Sequence, residues 1–190
     1  MTRDLSIVGQ PARAIEAGRR ALTLAEATGD LELEVLANAY LGSVCVARGA
    51  YRQAAEILLK GVAALRGENA LERFGLPGPA AVFFRVWLVT ALTRLGEFQE
   101  ASVQVQESLD IARKADQPLA LLVAHSTSGF LLAHQGNLTG AIQALDTSLD
   151  LCRTWRLPAW FSNIASILGW AYARSGRIDD GATLMQQAIQ

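Results

Sequence analysis

Gly136-Asn137-Leu138-Thr139-Gly140-Ala141 decides the fold, because it recurs. Gly176-Arg177-Ile178-Asp179-Asp180-Gly181 repeats it, as do Gly96-Glu97-Phe98-Gln99-Glu100-Ala101 and Gly49-Ala50-Tyr51-Arg52-Gln53-Ala54. A degenerate copy stands at Gly9-Gln10-Pro11-Ala12-Arg13-Ala14. The pattern is glycine, any residue, an apolar residue, any two, then Ala or Gly. Physically it describes a tight corner between two antiparallel helices. The leading glycine ends one helix, where a left-handed backbone costs it nothing. The apolar residue pins the start of the next helix. The small residue sits where the two backbones come closest.

Spacing extends the corner into an architecture. Gly9 to Gly49, Gly96 to Gly136 and Gly136 to Gly176 are each 40 residues apart, and Gly49 to Gly96 is 47. A period in the range of about 20–50 residues marks stacked hairpins, each unable to bury both its faces alone. One repeat carries an insertion, Gly67 to Gly78. Expected helices run Pro11–Thr28, Leu31–Arg48, Tyr51–Arg66, Pro79–Leu95, Phe98–Lys114, Pro118–Gln135, Leu138–Trp155, Pro158–Ser175 and from Ile178 to the end. Pro79, Pro118 and Pro158 each fall 17 or 18 residues before a corner glycine. Proline suits a first helical turn, where its missing N–H has no partner to lose. The prolines thus fix the same register as the glycines. We call the helix before each corner A and the one after it B.

The bulk numbers agree. The chain has 190 residues, is 51% hydrophobic and carries a formal net charge of −1. Near-neutrality is a poor footprint for nucleic acid. The apolar runs Ala80–Leu92 and Leu119–His134 are interrupted by Arg85, and by His125, Ser126 and Ser128. Neither reaches the roughly 18–20 clean residues of a membrane span. Met1 to Gln10 has no apolar signal region, and Cys45 and Cys152 lie within helical patterns as buried thiols, which points to the cytoplasm. No G-x-x-x-x-G-K-[ST], H-E-x-x-H, C-x-x-C or G-x-S-x-G occurs, so no cofactor, metal or catalytic residue is assigned. His125 reads as a core histidine facing helix B. The expected fold is an all-α, right-handed superhelical solenoid forming one domain over residues 1–190, with repeats 31–66, 79–114, 118–155 and 158–190 after a lone B helix, 11–28.

The corners resemble the tetratricopeptide repeat (TPR). Its Leu-Gly, aromatic, Gly, aromatic, Ala signature stands here as Leu168-Gly169, Tyr172, Gly176, Ile178 and Gly181, and as Leu41-Gly42, Cys45, Gly49, Tyr51 and Ala54. A period near 40 is longer than the usual 34. Glu72-Arg73-Phe74-Gly75-Leu76-Pro77-Gly78, Arg94-Leu95-Gly96-Glu97-Phe98, Leu151 to Pro158 and Leu168 to Arg177 further resemble the C-terminal repeats of bacterial regulators. Those regulators join a class III adenylate/guanylate cyclase and an AAA-type ATPase to such repeats. The resemblance implies a non-catalytic protein-interaction scaffold within a signalling protein. A ligand-sensing repeat domain of a LuxR-type transcription activator, taking a small molecule or peptide in the groove, is the alternative.

The resemblance also implies where a partner would lie, on the inner face of the A helices. Peptide-clamping repeats place Lys, Asn and Arg there. This chain has Ala39, Val86, Ser126 and Ser166, then Ser43, Thr90, Phe130 and Trp170, which is no carboxylate clamp. Candidate groove residues are Phe83, Arg94, Phe130, His134, Asn163, Ser166, Trp170 and Arg174. Arg94, His134 and Arg174 each stand two residues before a corner glycine, where helix capping explains a cation equally well. Arg73 and Phe74 are the candidate contacts of the insertion. Trp155, Trp160 and Phe161 are expected to pack around Pro158. The expected partner is a protein, a peptide or neighbouring domains of the same chain, without nucleic acid or membrane. Uncapped terminal helices of an excised segment, with Leu184, Met185 and Ile189 as an apolar stripe, raise an end-to-end homodimer.

Overall fold

The structure is a computed structural model that describes residues 11–189. The corner at Gly9 lies outside them. Among the described residues there are nine α-helices, one 3-10 turn and no strand. They are α1 (Pro11–Thr28), α2 (Leu31–Ala47), α3 (Tyr51–Ala64), the 3-10 turn Gly67–Leu71, α4 (Ala80–Leu95), α5 (Phe98–Ala115), α6 (Pro118–His134), α7 (Leu138–Thr154), α8 (Pro158–Arg174) and α9 (Ile178–Gln187). The chain gathers into two compact units, Met1–Gln104 and Val105–Gln190, which divide within α5.

The corners form as the glycines dictate. Gly49, Gly96, Gly136 and Gly176 adopt φ of 77°, 80°, 84° and 89°. At each, the following amide reaches five residues back: Ala50 to the Cys45 carbonyl (2.9 Å), Glu97 to Leu92 (2.9 Å), Asn137 to Leu132 (3.0 Å) and Arg177 to Tyr172 (2.9 Å). This is the Schellman closure, and it satisfies carbonyls that a helix end otherwise leaves open. The turns from α5 to α6 and from α7 to α8 place a residue other than glycine in the left-handed region. Asp116 and Arg156 take φ of 49° and 50° without being glycine. The Leu157 amide then reaches the Cys152 carbonyl at 2.9 Å, and Pro158 opens α8 one residue later.

In the first unit α1 packs on α2, α2 on α3, and α3 on α4, while the two A helices α2 and α4 also touch. Small residues let the helices close. A Cβ on Gly42 would stand 2.4 Å from the Leu58 side chain, and one on Gly61 would stand 2.0 Å from the Phe84 ring. Leu58 and Phe84 are fully buried there, a transfer that stabilises by roughly 1.5–3 kcal/mol for each side chain. The insertion folds back on this unit. Ala80 N–H donates to the Glu72 carbonyl at 2.8 Å, Leu76 is buried, and the 3-10 turn packs on α4.

The second unit repeats the scheme with α6, α7, α8 and α9, and its A helices α6 and α8 also touch. Here backbone also comes close to backbone. A Cβ on Gly181 would stand 2.5 Å from the Gly169 carbonyl oxygen, and one on Gly129 would stand 3.1 Å from the Ala141 oxygen. Buried Ser148 donates to the Leu122 carbonyl at 2.9 Å, which ties α7 to α6. The expected C-terminal apolar stripe is not free. Leu184 is buried and the Met185 side chain lies over Gly169, so α9 spends both on α8; only Ile189 is open. Trp155 likewise stands 57% exposed rather than packed.

Candidate partner-binding face

The second unit brings four of the expected groove residues together. Phe130 and His134 stand one turn apart near the end of α6, and Trp170 and Arg174 stand one turn apart at the matching place on α8. Residues four apart on a helix share a face. Phe130 and Trp170 are one period apart, as are His134 and Arg174, so the repeat itself lays them side by side.

The side chains form a continuous ladder. The Phe130 and His134 rings lie 4.3 Å apart at 44°. His134 and Trp170 lie 5.2 Å apart at 38°. The Arg174 guanidinium carbon stands 5.2 Å from the centre of the Trp170 ring. Such a cation over an aromatic face contributes about 0.5–1 kcal/mol at an exposed site. The His134 Nδ1 lies 2.9 Å from the Phe130 carbonyl. A carbonyl only accepts, so Nδ1 carries the proton, and Nε2 is the nitrogen left for a ligand. The rings are half-buried and Arg174 is exposed. Asn163 and Ser166 continue the stripe toward the start of α8, both exposed, with the Ser166 hydroxyl donating to the Asn163 carbonyl at 2.8 Å.

In the first unit the expectation for Phe83 is overturned. It is 5% exposed, and every residue from Ala80 to Arg85 is buried, so the first turns of α4 offer no open face. The insertion is the physical difference from the other repeats, since its 3-10 turn packs on α4. Arg94, at the far end of α4, is exposed. In the insertion, Arg73 is exposed but donates to the Pro77 carbonyl of its own loop. Phe74 is half-buried at φ 44°, and Gly75 beside it borders Glu32 and Leu36 of α2.

Other polar groups serve the interior. Arg85, which only interrupts an apolar run in the sequence, is 2% exposed and donates from Nη1 to the Ala81 carbonyl at 2.9 Å. Cys45 and Cys152 are free, buried thiols, and loss of water pushes both pKa values up, so neither is an activated thiolate. His125 is half-buried; desolvation first, then the charge of Arg113, lowers its pKa. Among the described residues no three His, Cys, Asp or Glu side chains gather to hold a metal ion. No helix of those residues is long and apolar enough to cross a membrane.

No family model matches the chain, and no curated protein matches it in sequence. Solved structures do resemble it. The apo form of RapI superposes with a TM-score of 0.74 at 12% identity, over 97% of this chain and 63% of that one. This chain therefore spans less than two thirds of RapI. The nearly identical TPR-like repeats of a putative kinesin light chain from Podosopora anserina give a TM-score of 0.68 at 20% identity, over 98% of this chain and 89% of theirs. YrrB, described as a TPR protein with an unusual peptide-binding site, gives 0.52 at 19%, over 99% and 81%. At such identities the likeness carries the fold, an all-α solenoid of TPR-like hairpins.

Proposed function

We propose that the chain is a non-catalytic interaction module whose second unit receives an extended, acidic peptide segment across Phe130, His134, Trp170 and Arg174. The single observation that carries this is the ladder itself. Three rings and a guanidinium stand in unbroken contact on adjacent A helices, with Arg174 left exposed. A pre-stacked row of this kind loses little side-chain freedom on binding. Aromatic and arginine side chains are also the types that dominate interface energetics. Exposed Asn163 and Ser166 extend the row as polar contacts. YrrB, which shares the fold, is described as having a peptide-binding site, and that is consistent with this use of the scaffold.

The test is selection from a random peptide display library, followed by fluorescence-polarisation titration of the enriched sequences. Acidic segments should dominate. Arg174→Glu should weaken the best of them by on the order of tenfold or more, and Trp170→Ala by a similar factor. The melting temperature should stay nearly fixed for Arg174→Glu, because its side chain is exposed. Enrichment without acidic residues, or equal affinity in Arg174→Glu, sinks the assignment.

At the finer level, the stretches Glu72–Gly78, Arg94–Phe98, Leu151–Pro158 and Leu168–Arg177 support a place among the repeats of a bacterial cyclase–ATPase regulator, where the module would couple those domains to a partner. The reading frame around this segment decides it. Upstream cyclase and P-loop motifs support that placement, and a downstream helix-turn-helix replaces it with a transcription activator.

A further inference from the structure

The turn from α7 to α8 carries a small cavity that the ladder does not use. Its volume is about 280 Å³, and Cys152, Arg153, Arg156, Leu157, Pro158 and Phe161 line it. Leu157 and Phe161 are half-buried and Pro158 is exposed, so the walls offer apolar surface; only Cys152 is buried. The lining is apolar throughout. The two arginines therefore contribute their aliphatic stems, and their exposed guanidinium groups stand at the rim. Among the described residues neither guanidinium is held in an ion pair.

The cavity is formed in advance. The Leu157 amide donates to the Cys152 carbonyl at 2.9 Å, and the Cys152 thiol donates to the Leu157 carbonyl at 3.1 Å. This reciprocal pair pins the turn, so a ligand orders little on arrival.

Two of the lining residues stand where other residues would suit the turn better. The left-handed place is Gly29 between α1 and α2 (φ 66°), Asp116 between α5 and α6 (φ 49°), and Arg156 here (φ 50°). Glycine and aspartate enter that region more readily than arginine does. The next residue is the N-cap. Asp30 caps α2 by accepting from the Leu33 amide at 3.0 Å, whereas Leu157 begins α8 with no side-chain cap. Leucine is among the poorest N-caps. Local preference is broken at two adjacent places, and both side chains line the cavity. Such breaks gather at functional sites.

We infer that this cavity binds a small free organic anion, a monocarboxylate with a compact aryl or branched-alkyl body. The apolar body covers the walls, and the carboxylate meets Arg153 and Arg156 at the rim, where charge-assisted hydrogen bonds to guanidinium are favoured. The volume lies just under the range of drug-sized pockets, which fits a ligand of this size. A peptide backbone suits the site less well, because its N–H and C=O groups would face a wall without polar partners. Aspartate and glutamate side chains carry too little apolar body to cover it. The inference stands apart from the ladder and does not rest on it.

The experiment is an amide-resolved NMR titration of the whole protein with 3-phenylpropionate. 3-Phenylpropanamide, of the same shape without the charge, is the control, and a short glycine peptide ending in phenylalanine with a free carboxylate tests the other source of this chemistry. The free acid should give saturable shifts centred on the amides of Arg156, Leu157, Trp160 and Phe161, and the amide control far smaller ones. The double variant Arg153→Gln/Arg156→Gln should weaken the acid on the order of tenfold, as loss of two exposed charge contacts does. Both side chains are exposed and glutamine has no greater claim on the left-handed place than arginine, so this variant should fold. Phe161→Ala should weaken the acid as well, and Arg174→Glu, on the ladder, should leave the titration unchanged. No saturable shifts at the turn, equal shifts from the amide control, an unaltered titration of the double variant, or tighter binding of the peptide than of the free acid overturns the inference.

Discussion

At the residue scale, a small side chain at the fifth place after a corner glycine is a contact requirement. Ala54, Ala101 and Ala141 are fully buried, and Gly181 is buried against α8. Gly181→Ala would put a Cβ 2.5 Å from the Gly169 carbonyl oxygen, and a backbone atom cannot swing aside. The expected cost is about 3 kcal/mol, the upper end for overpacking. Gly136→Ala is the comparison. Nothing lies within 4 Å of its Cβ position, so only the strain of φ 84° remains, at about 1 kcal/mol. Urea unfolding of the two variants checks the order. If Gly136→Ala proves the more damaging, the close approach of α8 and α9 is not what selects glycine. This much was legible in the sequence, since spacing alone marks both positions. Arg156 was not legible, because arginine carries no preference for the left-handed backbone it adopts.

At the element scale, the helices begin in two ways, and the two should respond differently to mutation. Asp30 and Asn137 are N-caps whose side chains accept from the Leu33 and Gly140 amides, both at 3.0 Å. α6 and α8 instead start on Pro118 and Pro158, with no side-chain cap from Gln117 or Leu157. Asp30→Ala and Asn137→Ala should each cost about 1 kcal/mol. Gln117→Ala should be near neutral. Denaturation midpoints measured side by side decide this; a Gln117→Ala loss equal to the others contradicts the distinction. The starts of α6 and α8 were therefore readable from Pro118 and Pro158. Four helix ends, at Ala47, His134, Thr154 and Arg174, fall one residue short of expectation.

At the scale of the whole molecule, pH should act through His125. Its folded pKa lies below the ordinary value of 6.5, because burial strips water from the imidazolium and Arg113 adds a like charge. The unfolded chain therefore binds this proton more readily. The contribution is complete above the ordinary histidine range and is lost as pH falls through it. Stability measured by urea unfolding should decline between about pH 7.5 and about pH 5.5, and His125→Gln should flatten that slope. A wild-type slope of zero contradicts the assignment.

The amino-acid sequence by itself determined the corners, the period and the alternation of A and B helices. Those properties depend on neighbours within a few residues, and on a repeat that copies them. Only the tertiary structure decided which A-helix residues remain open. Phe83 and Phe130 are both phenylalanines on expected A helices, yet one is buried and the other joins the ladder, because exposure depends on what distant segments bring against each helix. The Tyr172–Asp146 bond spans 26 residues and joins α8 to α7. No local pattern announces such a bond, because it forms only when two hairpins stack.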